Sequence, residues 1–150
     1  MKHWSLLFLR LAIGALLVWW GLDKLVQVDH GLEVAQGFYF GVGANRRFLQ
    51  AFGVFEVAVG LLVMLGLGRR WIYPVLLLIT GVTLIGVWRS VVDPWGWVFE
   101  GSNVLFYPSV IIFAASLVLY AFRDADLLAL DSRIGGPMAS GSRARPARAG

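Results

Sequence analysis

Four long runs of apolar residues, separated by short polar stretches, dominate the chain. They extend approximately over residues 4–22, 48–67, 71–88 and 104–122. A run of about 20 helical residues crosses the hydrocarbon core of a bilayer, and these runs lack the alternation of membrane barrel strands. Lipid offers the backbone no hydrogen-bond partner, so each run is expected to be helical. The pattern therefore predicts an all-α polytopic membrane protein, a four-transmembrane-helix bundle.

The polar connections predict how these helices are joined. Residues 66–70 form a short turn rich in glycine and arginine, which is typical of an antiparallel hairpin. Residues 92–103 combine the turn signal Asp93-Pro94 with two tryptophans that suit the membrane interface. The longest connection covers residues 27–47. Its pattern does not distinguish a short interfacial helix from a re-entrant segment.

Beyond residue 122 the chain becomes polar. Residues 123–134 fit a short amphipathic helix with a loose apolar face, formed by Leu127, Leu128, Leu130 and Ile134. Residues 135–150 contain mostly Gly, Ala, Ser, Pro and Arg, a composition that buries too little apolar surface to fold. We therefore expect a single transmembrane domain over residues 1–134, followed by a disordered, basic, cytoplasmic tail.

Composition and charge narrow the function classes. Hydrophobic residues make up 59% of the 150 residues and charged residues 15%, and the mean hydropathy is +0.75. The net charge of +4 would indicate nucleic acid in a soluble protein, but here the basic residues flank apolar runs and face anionic lipid. The chain has no cysteine, which excludes disulfides, thiol catalysis and thiolate-bound clusters.

The lysine and arginine distribution predicts the orientation. Four helices place both termini on one side of the membrane. With the basic tail included, nine of the 13 lysines and arginines fall on the side of the termini and four on the other side. Without the tail, six fall on the side of the termini and four on the other. Because lysine and arginine favour the cytoplasmic side, we expect both termini in the cytoplasm.

Glu56 is the only charged residue in the second apolar run. A charge inside the bilayer is costly and usually has a partner or a function. Lys24 and Arg89, at the outer ends of the first and third runs, are within reach as partners. Two interpretations remain open: a proton- or quinone-linked carboxylate, for which Glu56 is the catalytic candidate, and a buried ion pair that fixes the helix register.

Further binding candidates lie in the first run. Arg10 either extends to lipid phosphates or contacts a headgroup or quinone carbonyl inside the bundle. Trp20, followed by Asp23 and Lys24, marks either a plain interfacial helix end or the mouth of a pocket for a flat aromatic ligand. The two histidines fall near opposite faces of the membrane, so no shared haem or metal site is expected.

Three short motifs resemble the DoxX family. In the first run an arginine is followed four residues later by glycine, and the run ends in an aromatic-Gly-x-x-Lys pattern, as Arg10, Gly14 and Trp20 to Lys24. In the second run Glu56 is followed four residues later by Gly60. After the last run, Leu130-Asp131 resembles the short Leu-Asp motif of the family, so the resemblance extends over about residues 5–134.

The resemblance implies a four-helix bundle in a bacterial or archaeal plasma membrane. The wider family includes a small subunit associated with thiosulfate:quinone oxidoreductase and members linked to redox homeostasis complexes. Some of its relatives use cysteines, and that chemistry does not transfer to a cysteine-free chain. The charged family positions correspond to Arg10, Lys24 and Glu56.

Three functional hypotheses follow from these features. The first is an accessory subunit of a membrane redox complex that holds quinone or a soluble oxidoreductase partner near Glu56, Lys24 and Trp20. The second is a small quinone-linked enzyme with Glu56 as the proton acceptor. The third is a transporter or lipid-handling protein that uses Glu56 as its coupling carboxylate. The sequence favours the first and leaves catalytic activity and homo-oligomerisation open.

Overall fold

The fold is a bundle of helices. The computed structural model describes residues 1–38 and 43–134, and it contains no strand within these ranges. The helices are α1 (Lys2–Val26), α2 (Val28–Phe38), α3 (Arg46–Leu65), α4 (Arg69–Gly86), α5 (Trp88–Val92), α6 (Pro108–Ala121) and α7 (Leu130–Ile134). The tail that the sequence predicts to be disordered, 135–150, lies outside the described residues.

Four helical segments are long and apolar enough to cross a membrane. They are Lys2–Val26, Arg46–Leu65, Arg69–Gly86 and Val104–Ala121, with mean hydropathies from 1.2 to 2.1. Much of their outer surface consists of exposed large apolar side chains, which lipid rather than water would cover. The prediction of an all-α, multi-pass membrane protein is confirmed.

Helices α1 and α3 form the closest contact in the bundle, and glycines make it possible. Gly14 faces Gly60, and Gly21 faces Gly53. The two contacts are seven residues apart along each helix. A Cβ atom added at Gly21 would lie 2.5 Å from the carbonyl oxygen of Gly53, and one added at Gly60 would lie 2.6 Å from that of Gly14. The backbones approach too closely for any larger residue.

Helices α4 and α6 form a second packed pair. The two pairs meet at a core of buried side chains that includes Leu17, Val63, Tyr73, Leu76 and Leu119. Because this core lies towards one end of the bundle, the pairs leave space between them towards the other end.

A tight turn joins α3 to α4, as the sequence predicts. Gly66 adopts the left-handed conformation with φ 68°, and the Leu67 N–H donates to the Leu62 carbonyl at 3.0 Å. Gly68 is left-handed as well, with φ 62°. Glycine avoids the steric cost of Cβ in this conformation, so the turn reverses the chain within three residues.

The fourth membrane segment is not one continuous α-helix. A 3₁₀ turn over Val104–Phe106 begins it, and the Asn103 side chain accepts a hydrogen bond from the Leu105 N–H at 2.9 Å. Helix α6 then starts at Pro108. Pro108 occupies the first turn of α6, where its missing N–H costs nothing, so it begins this helix rather than kinking it.

Residues 123–134, here called the latch, cover one end of the bundle. The sequence predicts one amphipathic helix here, whereas the structure has a 3₁₀ turn over Arg123–Ala125 and the short helix α7. The His3 Nδ1 atom donates to the Ala125 carbonyl at 3.0 Å. The amino-terminal end of α1 and the latch therefore lie on the same side of the bundle, as an even number of spans requires.

One carboxylate orders the loop that follows α5, at the end of the bundle opposite the latch. Asp93 accepts hydrogen bonds from the backbone N–H groups of Trp97 at 3.0 Å, Val98 at 2.6 Å and Phe99 at 2.8 Å. These hydrogen bonds lower the pKa of Asp93, and the one from the Phe99 N–H has the largest effect. The rings of Trp95 and Trp97 stack at 5.2 Å on this ordered loop and remain exposed.

Candidate functional site

A large cavity opens between the two helix pairs, at the end opposite the latch. Its volume is about 1060 Å³, and its lining is mainly apolar. Helices α1 to α6, together with the 3₁₀ turn, all contribute to its wall. The lining includes an aromatic group formed by Trp20, Phe38, Phe48, Phe52, Phe55, Trp88 and Phe106. Ligand sites typically have this apolar character with a few polar groups that orient the ligand.

The polar groups of this cavity centre on an ion pair between α1 and α3. The Lys24 Nζ atom lies 2.7 Å from Glu56 Oε2. The Glu56 side chain is 2% exposed and that of Lys24 is 22% exposed. Apart from Lys24, Oε2 has no polar partner among the described residues, so Lys24 alone balances this buried carboxylate oxygen.

The geometry of α1 explains how Lys24 reaches a residue near the middle of α3. Side chains of a helix point back towards its amino terminus, and for α1 that direction leads into the bundle. The Lys24 Nζ atom also donates to the Trp20 carbonyl at 3.3 Å and lies 5.7 Å from the centre of the Phe52 ring. The close Gly21–Gly53 contact keeps α1 and α3 near enough for this reach.

A second pair of polar side chains lies towards the exposed end of the same cavity. The His30 Nδ1 atom donates to Asp23 Oδ2 at 2.9 Å, and both residues line the cavity. Their side chains are 55% and 38% exposed, respectively. The connection that the sequence leaves undecided therefore includes helix α2, which closes one side of the cavity and supplies His30.

Arg89 does not pair with Glu56, contrary to one expectation from the sequence. Its guanidinium lies 5.9 Å from the centre of the Trp88 ring, and it borders a separate cavity of about 200 Å³ together with Glu100. Its position at the outer end of the third apolar run gave it apparent reach, but Arg89 belongs to α5 and does not line the larger cavity. Lys24 is the partner of Glu56.

Arg10 is at the far end of the bundle from this cavity. Its side chain is 3% exposed and does not extend to lipid phosphates, as one alternative proposed. The Nη1 atom lies 2.9 Å from Asp126 Oδ2, and the Nη2 atom donates to the Leu128 carbonyl at 3.4 Å. Arg10 therefore anchors the latch and does not line the candidate site.

Sequence reasoning missed Asp126. Its side chain is 2% exposed and neutralises Arg10, yet it follows the last apolar run in a polar stretch and looks like an ordinary surface residue. One signal was available: a lone arginine inside a membrane helix needs a partner.

Asp131, within the Leu-Asp motif, has a separate role. Its carboxylate accepts from the backbone N–H of Gly68 at 3.0 Å and of Arg69 at 2.9 Å. It thus satisfies free donors at the start of α4 from a distant part of the chain.

The remaining polar groups define what the site can bind. No group of three histidine, aspartate or glutamate residues in the described ranges is arranged to hold a metal ion. The cavity instead offers a carboxylate and an ammonium group inside an apolar, aromatic wall. Such a site orients an amphiphilic molecule whose carbonyl or hydroxyl oxygen meets Lys24 and Glu56 while its apolar part fills the remaining volume.

The fold and the cavity define a class: a multi-pass membrane protein with a charged pair at the base of an apolar cavity. The DoxX family model matches residues 5–89, more than half of the chain, and the chain belongs to the DoxX family. The match includes Arg10, Lys24 and Glu56 and ends before α6 and the latch. The comparisons with curated proteins and with solved structures gave no match.

Proposed function

We propose that this DoxX protein binds a membrane quinone in the large cavity and serves as an accessory subunit of a membrane redox complex. The observation that carries the proposal is the Lys24–Glu56 pair, whose atoms lie 2.7 Å apart inside an apolar, aromatic cavity. Quinones combine a flat ring, two carbonyl oxygens and an apolar tail, and each part has a counterpart in the lining.

The charged pair provides a donor and an acceptor for the quinone head. The Lys24 ammonium donates to a carbonyl oxygen, and the Glu56 carboxylate accepts from a quinol hydroxyl. Trp20 and Phe52 supply aromatic surface next to the pair. The volume of about 1060 Å³ is at the upper end of ligand cavities, which suits a tail that continues towards the lipid.

The accessory role follows from what the chain supplies. A quinone provides the redox chemistry when bound, and a second redox centre must exchange electrons with it. The chain has no cysteine for a dithiol or a thiolate-bound cluster. We therefore assign electron delivery to a soluble oxidoreductase subunit, with Arg10, at the latch end, supporting the fold rather than the ligand.

The proposed setting is a bacterial or archaeal plasma membrane with both termini in the cytoplasm. The excess of lysine and arginine on the side of the termini supports this orientation. Because the chain lacks cysteine, single cysteines introduced at Ser132 and at Trp97 give an unambiguous test. A membrane-impermeant thiol reagent applied from outside should label the position-97 variant only, and the reverse pattern would invert the topology.

The function is tested by isolating the full chain in native nanodiscs and extracting its bound lipids. Quinone should co-purify with the protein at a ratio well above that in the surrounding membrane. The Glu56→Gln variant keeps the shape of the side chain and removes its charge, and it should lose most of the bound quinone. An equal quinone content in both proteins, or none in either, would contradict the proposal.

A lipid-handling role is the second candidate, and the mainly apolar lining favours it. A cavity of this size also accepts an acyl chain, with Glu56 as the coupling carboxylate. The same extraction separates the two functions. Enrichment of one phospholipid class over the bulk membrane, without quinone and with lipid transfer between liposomes, would replace the redox assignment.

A further inference from the structure

We propose that His30 and Asp23 form a proton-access route from the exposed end of the cavity to the Lys24–Glu56 pair. The inference deepens the proposed function and rests on it for its purpose, because interconversion of quinone and quinol releases or takes up protons. The route itself is a property of the protein and can be measured without quinone.

The exposure of four side chains forms a gradient along one wall of the cavity. The exposed fraction is 55% for His30 and 38% for Asp23. It falls to 22% for Lys24 and 2% for Glu56. The four residues come from α1, α2 and α3, and all line the same cavity. A graded series of titratable groups from solvent to a buried carboxylate is what proton exchange with that carboxylate requires.

The contacts divide this series into two linked pairs. The His30 Nδ1 and Asp23 Oδ2 atoms are 2.9 Å apart, and the Lys24 Nζ and Glu56 Oε2 atoms are 2.7 Å apart. Asp23 and Lys24 are consecutive residues in the last turns of α1, so both pairs share the same helix end. We assign the transfer between the pairs to water within the cavity.

Each relay group ends the transfer with as many protons as it had before. A proton enters at the second imidazole nitrogen of His30 while the Nδ1 proton passes to the Asp23 carboxylate. Asp23 releases a proton through cavity water to Lys24 as the Lys24 ammonium passes one to Glu56. The net result is one proton moved from solvent onto the Glu56 carboxylate.

No other titratable side chain of the described residues lines this cavity. The walls from α4, α5 and α6 contribute apolar, aromatic and hydroxyl groups only. The nearby Asp29–Arg46 pair is 81% and 59% exposed and is absent from the lining. It provides a control, because Asp29, like Asp23, is an aspartate paired with a basic side chain at this end of the bundle but does not line the cavity.

The test follows protonation of Glu56 after a rapid drop in pH. Time-resolved infrared spectroscopy of the full, quinone-free chain detects the carboxylic acid C=O band, which is assigned by its loss in Glu56→Gln. Asp23→Asn and His30→Gln should each slow the appearance of this band by about tenfold or more. Asp29→Asn should leave the rate unchanged, and Asp23→Glu should restore most of it.

Rates for Asp23→Asn and His30→Gln equal to that of Asp29→Asn would overturn the route, as would the absence of any band that Glu56→Gln removes. If Asp23→Asn does not fold, His30→Gln carries the test, since the His30 side chain is 55% exposed. Slowed protonation without quinone binding would refute the proposed function and leave the route standing. Quinone binding with unchanged rates would do the reverse.

Discussion

Arg10 and Asp126 are 116 residues apart in the chain and form a buried ion pair at the end of the bundle opposite the cavity. Their side chains are 3% and 2% exposed, and their atoms lie 2.9 Å apart. The pair connects the first helix to the latch that follows the last helix. Polar contacts therefore close the end of the bundle that holds this pair, whereas the opposite end opens into the cavity.

Breaking this pair should destabilise the bundle strongly. Asp126→Asn leaves the buried Arg10 charge without a counter-charge, and loss of one partner of a buried ion pair costs about 3–5 kcal/mol. The thermal unfolding temperature should fall, and the latch should become sensitive to protease. Asp124→Asn is the control, because the Arg123–Asp124 pair is exposed and its atoms are 3.9 Å apart. Equal effects of the two substitutions would show that the latch is not anchored by Arg10.

The glycine contact between α1 and α3 should be intolerant of side chains. In Gly21→Val the new Cβ atom would lie 2.5 Å from the Gly53 carbonyl oxygen and force the helices apart. We expect a loss of about 1–3 kcal/mol of stability together with weaker ligand binding, because the Lys24–Glu56 pair depends on this separation. Gly37→Ala, with no atom within 4 Å of the added Cβ, should leave both unchanged. If Gly21→Val bound the ligand as well as the wild type, the glycine contact would not be needed to form the site.

Lys24 and Glu56 should show a strong energetic coupling. Lys24→Met leaves a buried carboxylate without its partner and should destabilise the protein by several kcal/mol. Glu56→Gln alone should cost less, because Lys24 is partly exposed and retains its bond to the Trp20 carbonyl. The double variant should recover most of the stability lost in Lys24→Met. Additive losses in a double-mutant cycle of thermal unfolding would contradict the ion pair.

The stability that Asp131 gives to the latch should depend on acid pH. Burial alone would raise the pKa of Asp131, but hydrogen bonds from the Arg69 and Gly68 N–H groups and the Arg69 charge hold that pKa below 3.8. A carboxylate with a lowered folded-state pKa stabilises the fold above its ordinary pKa, and this contribution is lost as the pH falls through the folded-state value.

The acid sensitivity is measured as the difference in unfolding temperature between the wild type and Asp131→Asn across the acidic range. The wild type should be the more stable protein near neutral pH, and the difference should shrink below about pH 4. A difference that does not change with pH would exclude the carboxylate charge as its cause.

The sequence predicts the helices better than it predicts the partners of the charges. Uninterrupted apolar runs are a local property, so all four spans were found, whereas ion pairs depend on packing between distant segments. Glu56 was recognised because a lone carboxylate in an apolar run is costly. The sequence does not distinguish Lys24 from Arg89 as its partner, because that choice depends on where α5 places Arg89. Asp126 escaped prediction because it lies in a polar stretch without a pattern that reveals its partner. A helix within residues 27–47 was one of two alternatives, and the local pattern could not select it.

The central claim is that a quinone head occupies the cavity beside Glu56, and photoaffinity labelling tests it most directly. A photoreactive quinone is added to the protein in nanodiscs, and the sample is irradiated. The labelled peptides are then identified by mass spectrometry. Labels should fall on the cavity-facing residues near Trp20 and between Phe52 and Glu56, and excess unlabelled quinone should suppress them. Labels confined to the exposed Trp4 and Phe8, unaffected by competitor, would contradict the account.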